Sequence, residues 1–330
     1  MFILKNKNFL LTFSAVMFIM SSCQKSVLEY SLQNNGFAGP DTTWVGTISA
    51  DLPVATLRAH LLLPPREDAV NIVSGTLLHY VSPEGIEVNI PANALRTITG
   101  AIPQNSIFIR TRLLRKKGEI IRSGFPTVSD GLHLQTAGEV LVSARKDSAE
   151  LLLAPATRIS INISPNNTTG DLKLYHLTGL SPSLSNWTLN ADTAYNKVVR
   201  SGNGLEILST HFGWLNAGRP AGNSTPTVRL SPVLPSNYTN ANTMVFVCFN
   251  NQVTVSVMEP VVSGKIFQSL PLVPGTEVTV IVLSRQVEDY YFASSIVTTG
   301  NGNINGEPQK VVMTPIKTNL DAIKQYLDNL

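Results

Sequence analysis

Apolar and polar positions divide the chain into three textures. Phe9 to Met20 is an apolar run behind Lys5 and Lys7. Residues 24–43 are polar, with Asn-Asn-Gly and Gly-Pro breakers, and read as a flexible tether. From about residue 70 onward, short β-type runs follow one another between Gly, Pro, Asp and Asn turns. Asp51 to Leu63 predicts a short helix before them, with Asp51 as cap, Pro53 in the first turn and Leu57, Leu61 and Leu62 on one face. Pro64 and Pro65 end it.

The predicted strands of the first half are Val70–Ser74, Gly75–Val81, Ile86–Ile90, Ser106–Leu113, Glu119–Arg122, Leu132–Leu134, Glu139–Arg145, Glu150–Leu153 and Arg158–Ile163. The last alternates strictly, isoleucines on one face and polar side chains on the other. Ser164 to Gly170 is rich in turn formers and marks the expected internal boundary. Beyond it come Leu172–Leu177, a turn-rich stretch to about residue 225, and the runs Thr227–Val233, Thr243–Asn250, Gln252–Met258, Lys265–Leu270, Glu277–Ser284, Tyr290–Thr298 and Gln309–Thr314. Asn250-Asn251 reads as a tight hairpin turn. Thr318–Leu330 predicts a helix capped by Thr318 or Asn319, with Leu320, Ile323, Leu327 and Leu330 on one side. Many close-spaced strands without helices between them argue for antiparallel packing. The expected fold is all-β: two β-sandwich modules, Ig-like or ZU5-like, at 44–165 and 166–330, the second ending in a short helix.

Composition narrows the function classes. Of 330 residues, 43% are hydrophobic and only 14% charged, with 22 Gly and 20 Pro, a texture common in exported β proteins. Without Lys5 and Lys7 the formal charge falls from +3 to +1, which gives no electrostatic case for nucleic acid. The basic cluster Arg110, Arg112, Arg115, Lys116 and Lys117 alternates with apolar residues at first. It reads as a solvated strand edge, with an anion or glycan patch as the alternative.

The apolar run at 9–20 is too short to span a bilayer as a helix. Met20-Ser21-Ser22-Cys23 resembles a bacterial lipobox, in which small residues precede a cysteine that becomes the lipidated first residue. The resemblance implies a signal peptide at 1–22, lipidation at Cys23, and a tether at 23–43. An ordinary secretory signal is the alternative. Gln24 after the cysteine is compatible with outer-membrane sorting. The expected localisation is the cell envelope, as an outer-membrane lipoprotein held by its N-terminal lipid, periplasmic or surface-facing.

Ser74-Gly-Thr76, the run Gly85-Ile-Glu-Val-Asn-Ile-Pro-Ala-Asn-Ala-Leu95, Ile121-Arg-Ser-Gly-Phe-Pro-Thr127 and Leu134-Gln-Thr-Ala-Gly-Glu139 together resemble a ZU5-like β-sandwich of Bacteroidetes lipoproteins, over Ile72 to Ile163. The resemblance implies an interaction or structural module with no catalytic residues to carry over. The C-terminal half has a weaker likeness to transthyretin-like and carboxypeptidase-regulatory sandwiches, carried by Leu270 to Val280.

Catalytic signatures are missing from the sequence. His60, His79, His133, His176 and His211 are scattered without metal-ligand spacing, and no nucleophile elbow or phosphate cradle occurs. Gly300 to Gly306 is Gly-rich but lacks a P-loop lysine. No metal site, cofactor or catalytic residue is expected, and Cys248 reads as a small buried hydrophobe. Trp187, Phe212 and Trp214, with Tyr175 and Tyr195 nearby, are the candidate ligand-binding residues: exposed, they form a sugar-stacking platform; buried, they plug a sandwich core. Asp41-Thr-Thr, Asp147-Ser-Ala and Asp192-Thr-Ala resemble the Bacteroidetes O-glycosylation sequon, which implies candidate glycans at Thr42, Ser148 and Thr193. The expected function is a non-enzymatic lipoprotein presenting binding or assembly modules to an unidentified protein or glycan partner. The alternative is a carbohydrate-capture lipoprotein of a glycan-uptake system, and a hydrolase with carboxylates that converge only in the fold comes third.

Overall fold

The computed structural model describes residues 42–165, 168–178, 186–202, 204–222, 227–300 and 307–330. Trp44–Leu330 form one compact unit. Cys23 lies outside the described residues. The architecture is all-β, with a short C-terminal helix.

The first sandwich pairs two antiparallel sheets. One runs in the order Arg66–Asn71, Ser106–Leu114, Leu132–Lys146, Gly213–Pro220, Lys173–Thr178, Asn186–Leu189; the other runs Lys197–Ser201, Gly204–Ser209, Ile159–Ile163, Glu87–Ile90, Leu78–Val81. The isoleucines of Ile159–Ile163 face inward as the alternation requires, and they meet Val88, Ile107, Ile109, Val140 and Val142 in one core.

The boundary expected at 165/166 falls inside this sandwich. Gly213–Pro220 pairs along its length with Leu132–Lys146, and Gly204–Ser209 pairs with Ile159–Ile163. The turn formers at 164–170 connect two sheets of one sandwich, so the first module extends to about Pro220. Leu132–Leu134 and Glu139–Arg145 are likewise one strand, Leu132–Lys146.

The basic cluster does not lie on a strand edge, because Ser106–Leu114 is paired on both sides. Arg110 pairs with Glu150, and Arg112 with Glu84 at 2.7 Å. Lys116 and Lys117 donate to the carbonyls of Asp328 and Asn250.

The second module is built on the sheet Val255–Val257, Thr243–Phe249, Glu277–Gln286, Asp289–Thr298, Ile316–Thr318. Its central strands are buried on both faces, which explains their continuous apolar runs. One face packs under two small sheets: the parallel pair Leu230–Val233 with Gln309–Val312, and Glu259–Val261 with Ile266–Gln268. The other face packs against three helices, α1 (Pro53–Leu61), α2 (Lys117–Ser123) and α3 (Leu320–Asp328). The hairpin at Asn250-Asn251 forms, with a loop running to Thr254 instead of a two-residue turn.

Helix α1 forms as expected with Pro53 in its first turn, but Leu52, not Asp51, is its N-cap, and Leu62 is exposed beyond its end. Helix α3 is capped by the Asn319 Oδ1, which accepts the Ala322 N–H at 2.8 Å. Helix α2 replaces the strand expected at Glu119–Arg122. The Glu119 carboxylate accepts the N–H groups of Arg115 (2.6 Å) and Lys116 (3.0 Å), and Gly124 closes the helix in the left-handed conformation at φ 78°. At Gly118 a Cβ would sit 1.7 Å from the Leu327 carbonyl oxygen, so only glycine lets α2 and α3 approach this closely.

Candidate functional site

The aromatic cluster divides between two cores. Trp187 is fully buried, and its indole Nε1–H donates to the Pro126 carbonyl at 3.0 Å. It packs with Leu134 and Tyr175, and the half-buried Trp214 joins them through a tilted contact with Phe125 (5.3 Å between centroids). Phe212 packs into the core between the two sheets, away from Trp187 and Trp214. The three rings therefore do not converge on a common exposed surface, and Trp187 offers no face to a sugar. Tyr195 is exposed and stands apart from these cores.

The titratable groups occupy separate environments. His133 is buried edge-on to Phe249; burial lowers its pKa to about 4, with the Pro271 carbonyl pulling the other way. Cys248 is fully buried, and burial raises its pKa to about 12 while Lys117 opposes the shift. The fully buried Glu139 has its pKa raised well above the usual range by desolvation alone. Asn216 Nδ2 lies 3.4 Å from its Oε1, and its Oε2 has no partner. Glu288 and Asp289 form separate ion pairs with Arg285 and Lys317 at a turn. Among the described residues no three His, Cys, Asp or Glu side chains group as metal ligands do. Thr42, Ser148 and Thr193 are all exposed.

A cleft of about 410 Å³, which no sequence motif marks, lies between α1, α2 and the second module. Its wall is formed by Val54 and Leu61 from α1, Ile121 from α2, and Met244, Phe246 and Met258 from the sheet side. The lining is spread along the chain from Ile48 to Leu270, so no local pattern announces it. Thr127 and Val255 hold its two sides together. The Thr127 N–H donates to the Val255 carbonyl at 2.8 Å, and the Thr127 hydroxyl both donates to that carbonyl (3.1 Å) and accepts the Val255 N–H (2.8 Å). The Thr136 N–H reaches the Val253 carbonyl at 3.0 Å, and the Thr254 hydroxyl reaches the Leu134 carbonyl at 2.9 Å.

Most polar groups of the lining are already engaged. Asn240 bonds both backbone groups of Val45, and Thr243 bonds Asn242 and Ser284. Arg122 donates to the Leu61 carbonyl at 3.1 Å and pairs with Asp328 at 2.5 Å. Glu259 is exposed to water at the mouth. Arg58 is different: it is partly buried, burial lowers its pKa, and its guanidinium makes no hydrogen bond or ion pair among the described residues. The site is an apolar cleft with one unengaged guanidinium in its wall, a lining suited to holding a ligand. No protein-family model matches the chain, and no curated protein is significantly similar to it.

Proposed function

We propose that this chain is a non-enzymatic lipoprotein of a Gram-negative outer membrane, attached through Cys23 and presenting its β modules for binding or assembly. The observation that carries the binding reading is the cleft between α1, α2 and the second module, whose wall combines apolar side chains with Arg58 in a contact area suited to a ligand. The lipobox-like Met20-Ser21-Ser22-Cys23 supports the anchor, and the ZU5-like character of Ile72 to Ile163 supports an interaction role. Glycan capture draws less support, since Trp187 is buried and Phe212 lies in a different core from Trp214.

The test is envelope fractionation of the full chain and its Cys23→Ser variant, with labelled palmitate supplied to the cells. The reading expects the label and outer-membrane recovery for the parent chain and neither for the variant. An unlabelled parent chain, or a variant that fractionates like it, overturns the anchor.

A further inference from the structure

Val54, Arg58 and Leu61 stand at i, i+4 and i+7 on α1, and so share one face of the helix. Val54 and Leu61 are buried there, so the guanidinium is set into an apolar stripe where helix patterning calls for another aliphatic side chain. A partly desolvated cation without a counter-charge costs stability, and the obvious local remedies are absent. Arg122 is the other arginine of the lining and already serves Asp328, while Glu259 lies in solvent and forms no ion pair among the described residues.

We propose that the cleft binds a free single-chain anionic amphiphile, an alkyl carboxylate, with its head on Arg58 and its chain along the half-buried Ile48, Val128 and Val257. The chemistry of the wall selects this class. A neutral apolar ligand leaves the Arg58 charge uncompensated and further desolvated. A wholly polar anion leaves the apolar wall wet. A carboxylate matches the planar guanidinium fork, and an alkyl chain covers the wall. The volume of about 410 Å³ falls within the range of small-molecule sites. The assignment rests on reading the folded unit as a binding module.

The experiment is titration calorimetry on the chain from residue 24 onward, which keeps the whole compact unit. Decanoate, below its micelle-forming concentration, is compared with 1-decanol. The expected result is saturable one-to-one decanoate binding, weakened roughly tenfold by Arg58→Gln, with decanol indifferent to that substitution. Val257→Phe, which extends a half-buried cleft residue into the space, is expected to abolish binding without lowering the melting temperature. Absence of saturable decanoate binding by the folded parent protein overturns the proposal, as does an Arg58→Gln protein that binds decanoate as tightly as the parent. Arg58-dependent sedimentation with phosphatidylglycerol vesicles, in place of decanoate binding, overturns the free-ligand assignment in favour of a bilayer surface. None of these outcomes alters the Cys23-dependent fractionation, so the ligand and the anchor fail separately.

Discussion

Thr127 bonds Val255 three times across the junction of the two modules, through its own N–H at 2.8 Å and twice through its hydroxyl. The side chain completes what a neighbouring strand would otherwise supply. Thr127 is fully buried, so no water replaces a bond that is lost. Thr127→Val keeps the shape and leaves the Val255 N–H unpaired. The expected cost is about 1–3 kcal/mol, read from the urea midpoint at unchanged m-value.

Trp187 provides a sharper choice between core and ligand surface. Its ring is fully buried and its N–H is satisfied by Pro126. Trp187→Ala is expected to destabilise the protein by about 3–5 kcal/mol. A glycan array on any folded fraction should match the parent protein, whereas lost sugar binding at unchanged stability would restore the platform reading.

His133 makes stability depend on acid. Its pKa is lowered by burial to about 4, against an ordinary value of 6.5. As pH falls below 6.5 the unfolded chain takes up a proton that the folded ring refuses, and stability is lost until the folded value is reached. The linkage corresponds to about 3 kcal/mol between pH 6.5 and 4. Urea midpoints measured across that range should fall more steeply for the parent protein than for His133→Leu.

Glu139 acts in the opposite direction. Its folded pKa is raised, so its contribution is fully present below the unfolded value near 4.5 and is lost as pH rises toward the folded value. Glu139→Gln removes that penalty while leaving a neutral side chain beside Asn216. The variant's stability relative to the parent should therefore grow as pH rises from 4.5. A difference that stays flat with pH would show the carboxyl to be ionised in the fold.

The legible part of the fold was the part written locally. The alternation at Ile159–Ile163, the Asn319 cap and the Pro53 start each lie within one element, and each forms as read. Ile120 and Ile121 suggested a strand because β-branched pairs favour one, yet the Glu119 carboxylate and Gly124 hold them in a helix. The module boundary was misplaced because pairing between Leu132–Lys146 and Gly213–Pro220 spans dozens of intervening residues. A run of turn-forming residues such as 164–170 reads the same whether it links modules or sheets. Trp187 was found, but its burial follows from partners such as Leu134 and Pro126 that periodicity does not connect. Arg58 carried a weak signal, a cation on the apolar face of a short helix, which gains meaning only once Met244 and Phe246 stand opposite.

The cleft exists only because the modules fold as one unit, and differential scanning calorimetry of the chain from residue 24 onward tests that directly. The account predicts a single transition whose calorimetric and van't Hoff enthalpies agree, shifted as a whole to lower temperature by Thr127→Val. Two separable transitions, only one of them moved by Thr127→Val, would contradict it.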